Sequence, residues 1–311
     1  MSPPLAAITG ATGFLGQHLV RALGAAGWRV RLLARRDPTS PFWEGQEPQV
    51  VPGDLSDPAA LARLCDGADR IFHAAGLIGG SAAQMRLVNV EGARRLAKAA
   101  KRAAPDAQTV LVSSLAAREP RLSPYAASKR AGEDAMRDVL GERLTVARPP
   151  VIYGPGDRET LRVFQAAATS PVLPLLHRDA RVALVHVEDA ARQIVALASG
   201  APGRIITLCD ARPEGYAWRE LMQTAASALN RSPGFVRIPS AALYALASAQ
   251  GIGNGWRHGK VTITFGKVRE LTHLDWGVRP DERTPRAPEP IYDLLAGFKQ
   301  TVCWYRKRGW L

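Results

Sequence analysis

Leu5-Ala-Ala-Ile-Thr-Gly-Ala-Thr-Gly-Phe-Leu-Gly16 is the stretch whose reading decides the fold. A short β-type run, Leu5–Thr9, meets three glycines at a three-residue spacing, and a helical pattern follows from Gly13 to about Ala26. Strand, glycine turn and helix is the order by which a sheet presents free backbone N–H groups to a pyrophosphate. Gly10 permits the tight turn, Gly13 lets the backbone approach a phosphate, and Gly16 allows close helix–sheet packing. Thr12, Phe14 and Leu15 belong to the same loop and are counted with it. The helix start adds the positive end of its dipole. Glycine turns also serve packing alone, so the weight of this one lies in its context.

Working outward, further strands are expected at Trp28–Leu33, Gln49–Val51, Arg70–Ala74, Thr109–Ser113 and Leu144–Ala147. Helices are expected at Pro58–Leu64, Ala83–Ala103 and Pro124–Leu140. Such alternation predicts an α/β chain with a Rossmann-type, doubly wound parallel sheet over residues 1–150. Pro149-Pro150 and Tyr153-Gly154-Pro155-Gly156 make a rigid exit from it. A strand at Val182–His186, a helix at Val187–Ala198 and a strand at Arg204–Leu208 bring 183–210 back to that unit. Residues 151–182 and 211–311 are assigned to a smaller, mostly helical substrate-binding lobe.

The second strand ends in Leu33-Ala34-Arg35-Arg36, where an acidic residue would mark NAD. Arg35 and Arg36 suit a 2′-phosphate instead, which favours NADP(H). Asp37 follows at once and keeps NAD(H) as the alternative. Asp54 and Leu55 follow the third strand, where a carboxylate reads an adenine amino group or simply caps a turn. Ala74, Ala75 and Gly76 end the fourth strand with little bulk, so a cofactor can lie against the sheet edge. His73 reads as a packed strand-end histidine.

Val112-Ser113-Ser114 ends the fifth strand, and Tyr125-Ala-Ala-Ser-Lys129 opens the next helix. Four-residue spacing puts Tyr125 and Lys129 on one helical face. A free tyrosine titrates near pH ~10, too high for efficient proton transfer, and an adjacent ammonium favours the phenolate. Ser114 is placed to hold a substrate oxygen and stabilise its developing charge. The three together point to hydride transfer at a carbinol or carbonyl carbon.

With these pieces in hand, the chain resembles an extended short-chain dehydrogenase/reductase. That group holds nucleotide-sugar epimerases and dehydratases, 3β-hydroxysteroid dehydrogenases and dihydroflavonol-type reductases. The matching segments are Thr9–Gly16, Gly53–Asp57, His73–Gly76, Asn89–Gly92, Val112–Ser114, Tyr125–Lys129, Arg148–Asp157 and His186–Asp189. The resemblance implies Ser114, Tyr125 and Lys129 as catalytic residues, with Asn89 supporting them from its helix. It places Pro149, Val151 and Ile152 beside the nicotinamide, along with Ser113, Tyr125 and Lys129. It also implies a monomer or a homodimer paired through the helices near 83–103 and 124–140.

Departures from the sugar-acting members narrow the substrate. Only ten residues separate Ser114 from Tyr125, and no carboxylate adjoins Ser114, which disfavours β-elimination. Leu77, Ile78, Leu115, Tyr153 and the apolar Ala241–Ile252 helix would wall the site, if they are not simply core. The resemblance thus extends to reductases of bacterial sphingolipid or related lipid pathways, with a 3-keto-sphingoid or 3-keto-ceramide as the most specific expectation. Two rival readings remain open. A nucleotide-sugar epimerase or reductase would draw its phosphate set from Arg212, Arg219, Arg237 and Arg257. A non-catalytic cofactor-binding protein of the respiratory complex I accessory type would need no chemistry at all.

Composition bounds the rest. The 311 residues are 46% hydrophobic and 22% charged, ordinary globular values. Three widely spaced cysteines, Cys65, Cys209 and Cys303, argue for reduced thiols and against a metal site. A net charge of +13 invites a nucleic-acid reading. Arg outnumbers Lys, however, and no basic run is interleaved with stacking aromatics, so no nucleic-acid partner is expected. No signal peptide or spanning segment is evident, which predicts a cytoplasmic protein. The Trp- and Arg-rich terminal stretch Phe298–Leu311 reads as a packed helix or, alternatively, as a contact with the inner face of the membrane.

Overall fold

The computed structural model describes residues 2–43, 45–253, 264–284 and 287–311, without the side chains of 250–253. Six strands are laid down in turn: β1 (Leu5–Thr9), β2 (Arg29–Ala34), β3 (Gln49–Pro52), β4 (Arg70–His73), β5 (Gln108–Val112) and β6 (Leu144–Arg148). Four short ones follow outside the central sheet: β7 (Val151–Tyr153), β8 (Val172–Leu175), β9 (Arg181–Val182) and β10 (Leu184–His186). β11 (Ile205–Thr207) then rejoins it beside β6. The resulting order is β11-β6-β5-β4-β1-β2-β3, with every pair parallel. Strand order reverses between β1 and β4, and the crevice at their carboxyl ends is where such sheets take ligands.

Helices up to residue 197 are α1 (Phe14–Ala25), α2 (Pro58–Cys65), α3 (Ala82–Arg86), α4 (Ala93–Ala103), α5 (Pro124–Leu140), α6 (Leu161–Thr169) and α7 (Val187–Leu197). α1 and α7 cover one face, packing Leu19, Leu23 and Ile194 against Ile8, Leu32 and Val110. α2, α4 and α5 cover the other, where Leu61, Leu64, Leu96 and Met136 meet Ala7, Ile71, Leu111 and Val146. Burial on both faces explains why the strands are rich in apolar residues. Each such Leu or Ile contributes about 1.5–3 kcal/mol.

The remaining chain adds β12 (Tyr216–Ala217), α8 (Trp218–Ala228), β13 (Gly234–Arg237), α9 (Ser240–Gly253), α10 (Phe265–Thr272), β14 (Asp275–Trp276) and α11 (Leu294–Lys307). A second core gathers Tyr153, Phe164, Leu221, Phe298, Val302 and Tyr305. α11 sends its aromatics inward: Tyr305 donates to the Asp157 carbonyl at 2.7 Å, and Trp304 and Trp310 pack against this core. The Arg158 guanidinium lies 4.5 Å from the Trp310 ring centroid. Among the described residues no helix is long and apolar enough to cross a membrane.

Two expectations need correction. Val182–His186 is two strands, not one: β9 pairs with β12 and β14, whereas β10 pairs with β7. The lobe is mostly helical, as expected, with short strand pairs such as β8 with β13 beside the helices. The helix expected over Ala83–Ala103 widens at Leu87–Gly92 into a π-turn between α3 and α4. There α5 comes so close that a Cβ on Gly132 would stand 2.3 Å from the Asn89 carbonyl oxygen. Gly132→Ala should therefore force the two helices apart and cost about 1–3 kcal/mol. Urea unfolding followed by circular dichroism checks this; an unchanged midpoint would mean the helices are not so tightly opposed.

Candidate active site

The glycine turn is built as its spacing demands. Gly10 takes φ +77°, and a Cβ there would lie 2.4 Å from the Ala75 amide nitrogen. Gly16 sits under the turn itself, where a Cβ would stand 1.9 Å from the Gly10 carbonyl oxygen. Gly13 is the N-cap of α1; no side chain caps it and no acidic residue occupies the first turn. The amides at that helix start are thus left for an anion. Thr12 and Gly13 are exposed, Phe14 and Leu15 half-buried. Arg35, Arg36 and Asp37 stand exposed just beyond β2. Asp54 accepts from the Ser56 amide and hydroxyl at 2.7 and 2.5 Å, which lowers its pKa with further help from Arg35 and Arg95. Its carboxylate therefore closes a local turn within the field of two arginines, of which Arg95 had no signal in the sequence. Leu55 is half-buried against Gly92. Ala74 and Ala75 are half-buried and Gly76 exposed along the β4 end. These features fit a dinucleotide phosphate lying across the β1–β4 crevice.

The imidazole of His73 is buried, its Nδ1 2.6 Å from the Thr9 hydroxyl, and burial pushes its pKa down to about 3. It is a neutral packing group. His18 behaves alike, with Nε2 2.8 Å from the Pro155 carbonyl and a pKa lowered to about 4 by burial.

Ser114 and Tyr125 come together. Ser114 caps the short turn Leu115–Arg118 and hydrogen bonds the Tyr125 phenol. Ser123 caps α5 through the Ala126 amide at 3.0 Å, and Pro124 fills its first position, so Tyr125 starts the helix rigidly. Lys129 donates from Nζ to the Val112 carbonyl at 2.8 Å. Burial brings its pKa down to about 8 against the pull of Glu133. Asn89 brackets Leu77, accepting from its amide at 2.7 Å and donating to its carbonyl at 2.9 Å, and also donates to Ser128 at 2.9 Å. In this structure the Tyr125 pKa is raised. Burial raises it, the Ser114 hydrogen bond opposes, and the Glu270 carboxylate raises it further. The Lys129 ammonium is engaged by Val112 instead.

Ser113 turns the other way. Its hydroxyl donates to Glu133 at 2.5 Å, and Glu133 takes a two-point grip from Arg148, at 2.9 and 2.5 Å. Both charged groups are buried. Sequence reading missed this pair because its members lie on different elements, α5 and β6. Pro149 is buried and its carbonyl accepts from the Leu115 amide at 2.8 Å, while Val151 is exposed and Ile152 half-buried.

Of the expected apolar wall, Ile78 is 60% exposed, Leu77 half-buried and Leu115 buried beneath the Ser114 turn. Tyr153 must be reassigned. It is fully buried in the second core with Phe298 4.9 Å away, so its side chain lines no substrate space. Burial rises along β7 from exposed Val151 through half-buried Ile152 to buried Tyr153, so the strand runs from the surface into the second core. Arg212 pairs with Glu220 and Glu214, and Arg219 lies over Phe235. Arg237 is exposed, and Arg257 lies outside the described residues. α9, expected to wall the site, stacks Tyr244 on Phe265 of α10 and leaves Leu246 exposed.

A Rossmann sheet with a glycine turn at its switch point and a Ser-Tyr-Lys group beside it defines an oxidoreductase of the short-chain dehydrogenase/reductase type. The chain belongs to the NAD dependent epimerase/dehydratase family, whose profile matches residues 6–209. It is 48% identical over 306 residues to the ceramide reductase of Caulobacter vibrioides, covering 98% of this chain and 95% of that one. Among solved structures, the crystal structure of gox2253 superposes with a TM-score of 0.79 at 23% identity, covering both chains fully. MoeE5 in complex with UDP-glucose and NAD gives 0.73 at 19% identity, over 98% of this chain and 99% of that one. At such identities the likeness shows the fold.

The buried pair yields a stability prediction. Glu133→Ala would strand the Arg148 charge and free Ser113, at a cost of about 3–5 kcal/mol. A denaturant titration of the variant checks it; a loss under about 1 kcal/mol would mean that water reaches the pair.

Proposed function

We propose that the chain is an NADP(H)-dependent ketone reductase, or secondary-alcohol dehydrogenase, acting on an apolar lipid-like substrate, a 3-keto-ceramide or 3-keto-sphingoid most specifically. The observation that carries this reading is the end-to-end similarity to a ceramide reductase at 48% identity. The site's chemistry supports it. When bound, the nicotinamide supplies the hydride to the carbonyl carbon or takes it from the carbinol. Ser114 Oγ holds the substrate oxygen, and Tyr125 gives that oxygen its proton in the reducing direction. Burial favours the protonated phenol, the form a general acid needs. Asn89 acts through Leu77 and Ser128, fixing the loop that carries Ile78. Exposed Ile78 and Val151 offer apolar surface to a long-chain ligand. Arg212 is engaged by Glu220 and Arg219 lies over the Phe235 ring, which counts against their serving as a nucleotide-sugar phosphate grip.

Purified protein should oxidise NADPH with a 3-keto-ceramide and leave nucleotide sugars untouched. Tyr125→Phe should lower kcat by about 10²–10⁴-fold while binding NADPH normally. Turnover of sugars alone would overturn the substrate, and an active Tyr125→Phe variant would overturn the proton donor. Arg35 and Arg36, exposed beyond β2, support NADP(H). Arg35→Asp should weaken NADPH binding by about 10- to 100-fold, an effect of 1.5–3 kcal/mol, and improve NADH relative to it. Titration by tryptophan fluorescence decides; an unchanged preference would place the phosphate elsewhere.

A further inference from the structure

The loop that carries the candidate catalytic pair is held from outside the sheet. Between Ser114 and Tyr125 the chain makes one short turn, Leu115–Arg118, and contributes no strand. Its fastenings come from residues 264–282 of the lobe. Arg118, with its side chain 6% exposed, donates to the carbonyls of Gly277 at 2.9 Å and Asp275 at 2.5 Å, and to Glu282 at 3.2 Å. Arg269 donates to the Arg121 carbonyl at 3.4 Å. Gly266 lies so close to the start of α5 that a Cβ would stand 2.9 Å from Ser123 Cβ. The most consequential contact is at Ser123, whose hydroxyl accepts from the Ala126 amide and donates to Glu270. Glu270 is itself fixed, its carbonyl accepting from the Trp276 indole at 2.8 Å and its carboxylate pairing with Lys267 at 3.5 Å.

We propose that Glu270 is a positioning residue for Tyr125: by holding Ser123 it sets the first turn of α5, so that proton transfer requires α10 to be seated. The proposal rests on Tyr125 being the proton donor. The Glu270 carboxylate also opposes the phenolate electrostatically. The other groups facing Tyr125 are Ser114 from its turn and, on its own helix, Lys129, which is turned to Val112. Lys267 faces Glu270 from its own helix.

Two variants separate the two effects. Glu270→Gln keeps an acceptor oxygen for Ser123 and removes the charge; Glu270→Ala removes both. Tyr125 ionisation is read by ultraviolet difference titration against the matching Tyr125→Phe protein, which needs no substrate. Removing a negative charge favours the phenolate, so both variants should ionise Tyr125 at lower pH than the parent. In turnover, Glu270→Ala should lower kcat about tenfold, with NADPH affinity unchanged. Glu270→Gln should recover most of that loss at neutral pH while its alkaline limb moves down. A Tyr125 titration unmoved by Glu270→Gln, or a parental kcat in Glu270→Ala, overturns the proposal. If Glu270→Ala does not fold, the Gln variant's titration still decides. Absence of ketone turnover by the parent would defeat the functional reading alone, because the titration stands apart from it.

Discussion

Helix α5 is pinned to the sheet and to the Leu87–Gly92 turn along a single stripe, and the site depends on that attachment. Ser128 takes a hydrogen bond from Asn89, Lys129 reaches the end of β5, Gly132 admits the Asn89 carbonyl and Glu133 grips Arg148 of β6. These positions follow Tyr125 at spacings of three, four, seven and eight, one face of an α-helix. Each anchor therefore also orients the phenol at the head of the stripe. Most of the anchoring groups are polar and lie where water is scarce, so each lost partner costs more than a surface contact would.

A second consequence concerns charge. Glu133 and Arg148 lie together at the sheet end, where removing either would leave a buried charge uncompensated. Ser113 is drawn into this pair, which leaves Ser114 alone to face outward beside Tyr125. Two adjacent serines thus separate into a structural and a candidate catalytic one by the alternation of a strand end.

The sequence made the central sheet legible for a simple physical reason. Strands buried on both faces are rich in apolar residues, and β1 to β6 fall within a residue of where the sequence predicts them. α5 was legible too, since Ser123 and Pro124 mark its start and Gly141 its end. Elements made by distant partners were not. β9, β12 and β14 are two residues each and exist only through pairing across the lobe. The π-turn at Leu87–Gly92 has no local composition signal; it is a response to the approach of α5. Tyr153 was misplaced because sequence cannot say which face of so short a strand meets the core. The upward shift at Tyr125 was equally hidden, since spacing put Lys129 nearby but could not show the Val112 carbonyl that engages it. Glycines, Ser114, Tyr125 and Lys129 do converge on one region, whereas Arg95, Glu133 and Glu270 enter it only through the fold.

The clamp on the Ser114–Tyr125 loop joins residues far apart in the chain: Ser123 to Glu270 across 147 positions, and Arg118 to Glu282 across 164. A ribosome delivers the chain from its N-terminus, so the sheet's first six strands emerge long before those partners do. During that interval the glycine turn can form, yet Arg118 has no carbonyls to occupy and Ser123 has no carboxylate. A chain stopped after β11 would carry the glycine turn without the groups that fasten Arg118 and Ser123. Fastening of this loop is thus tied to completion of synthesis.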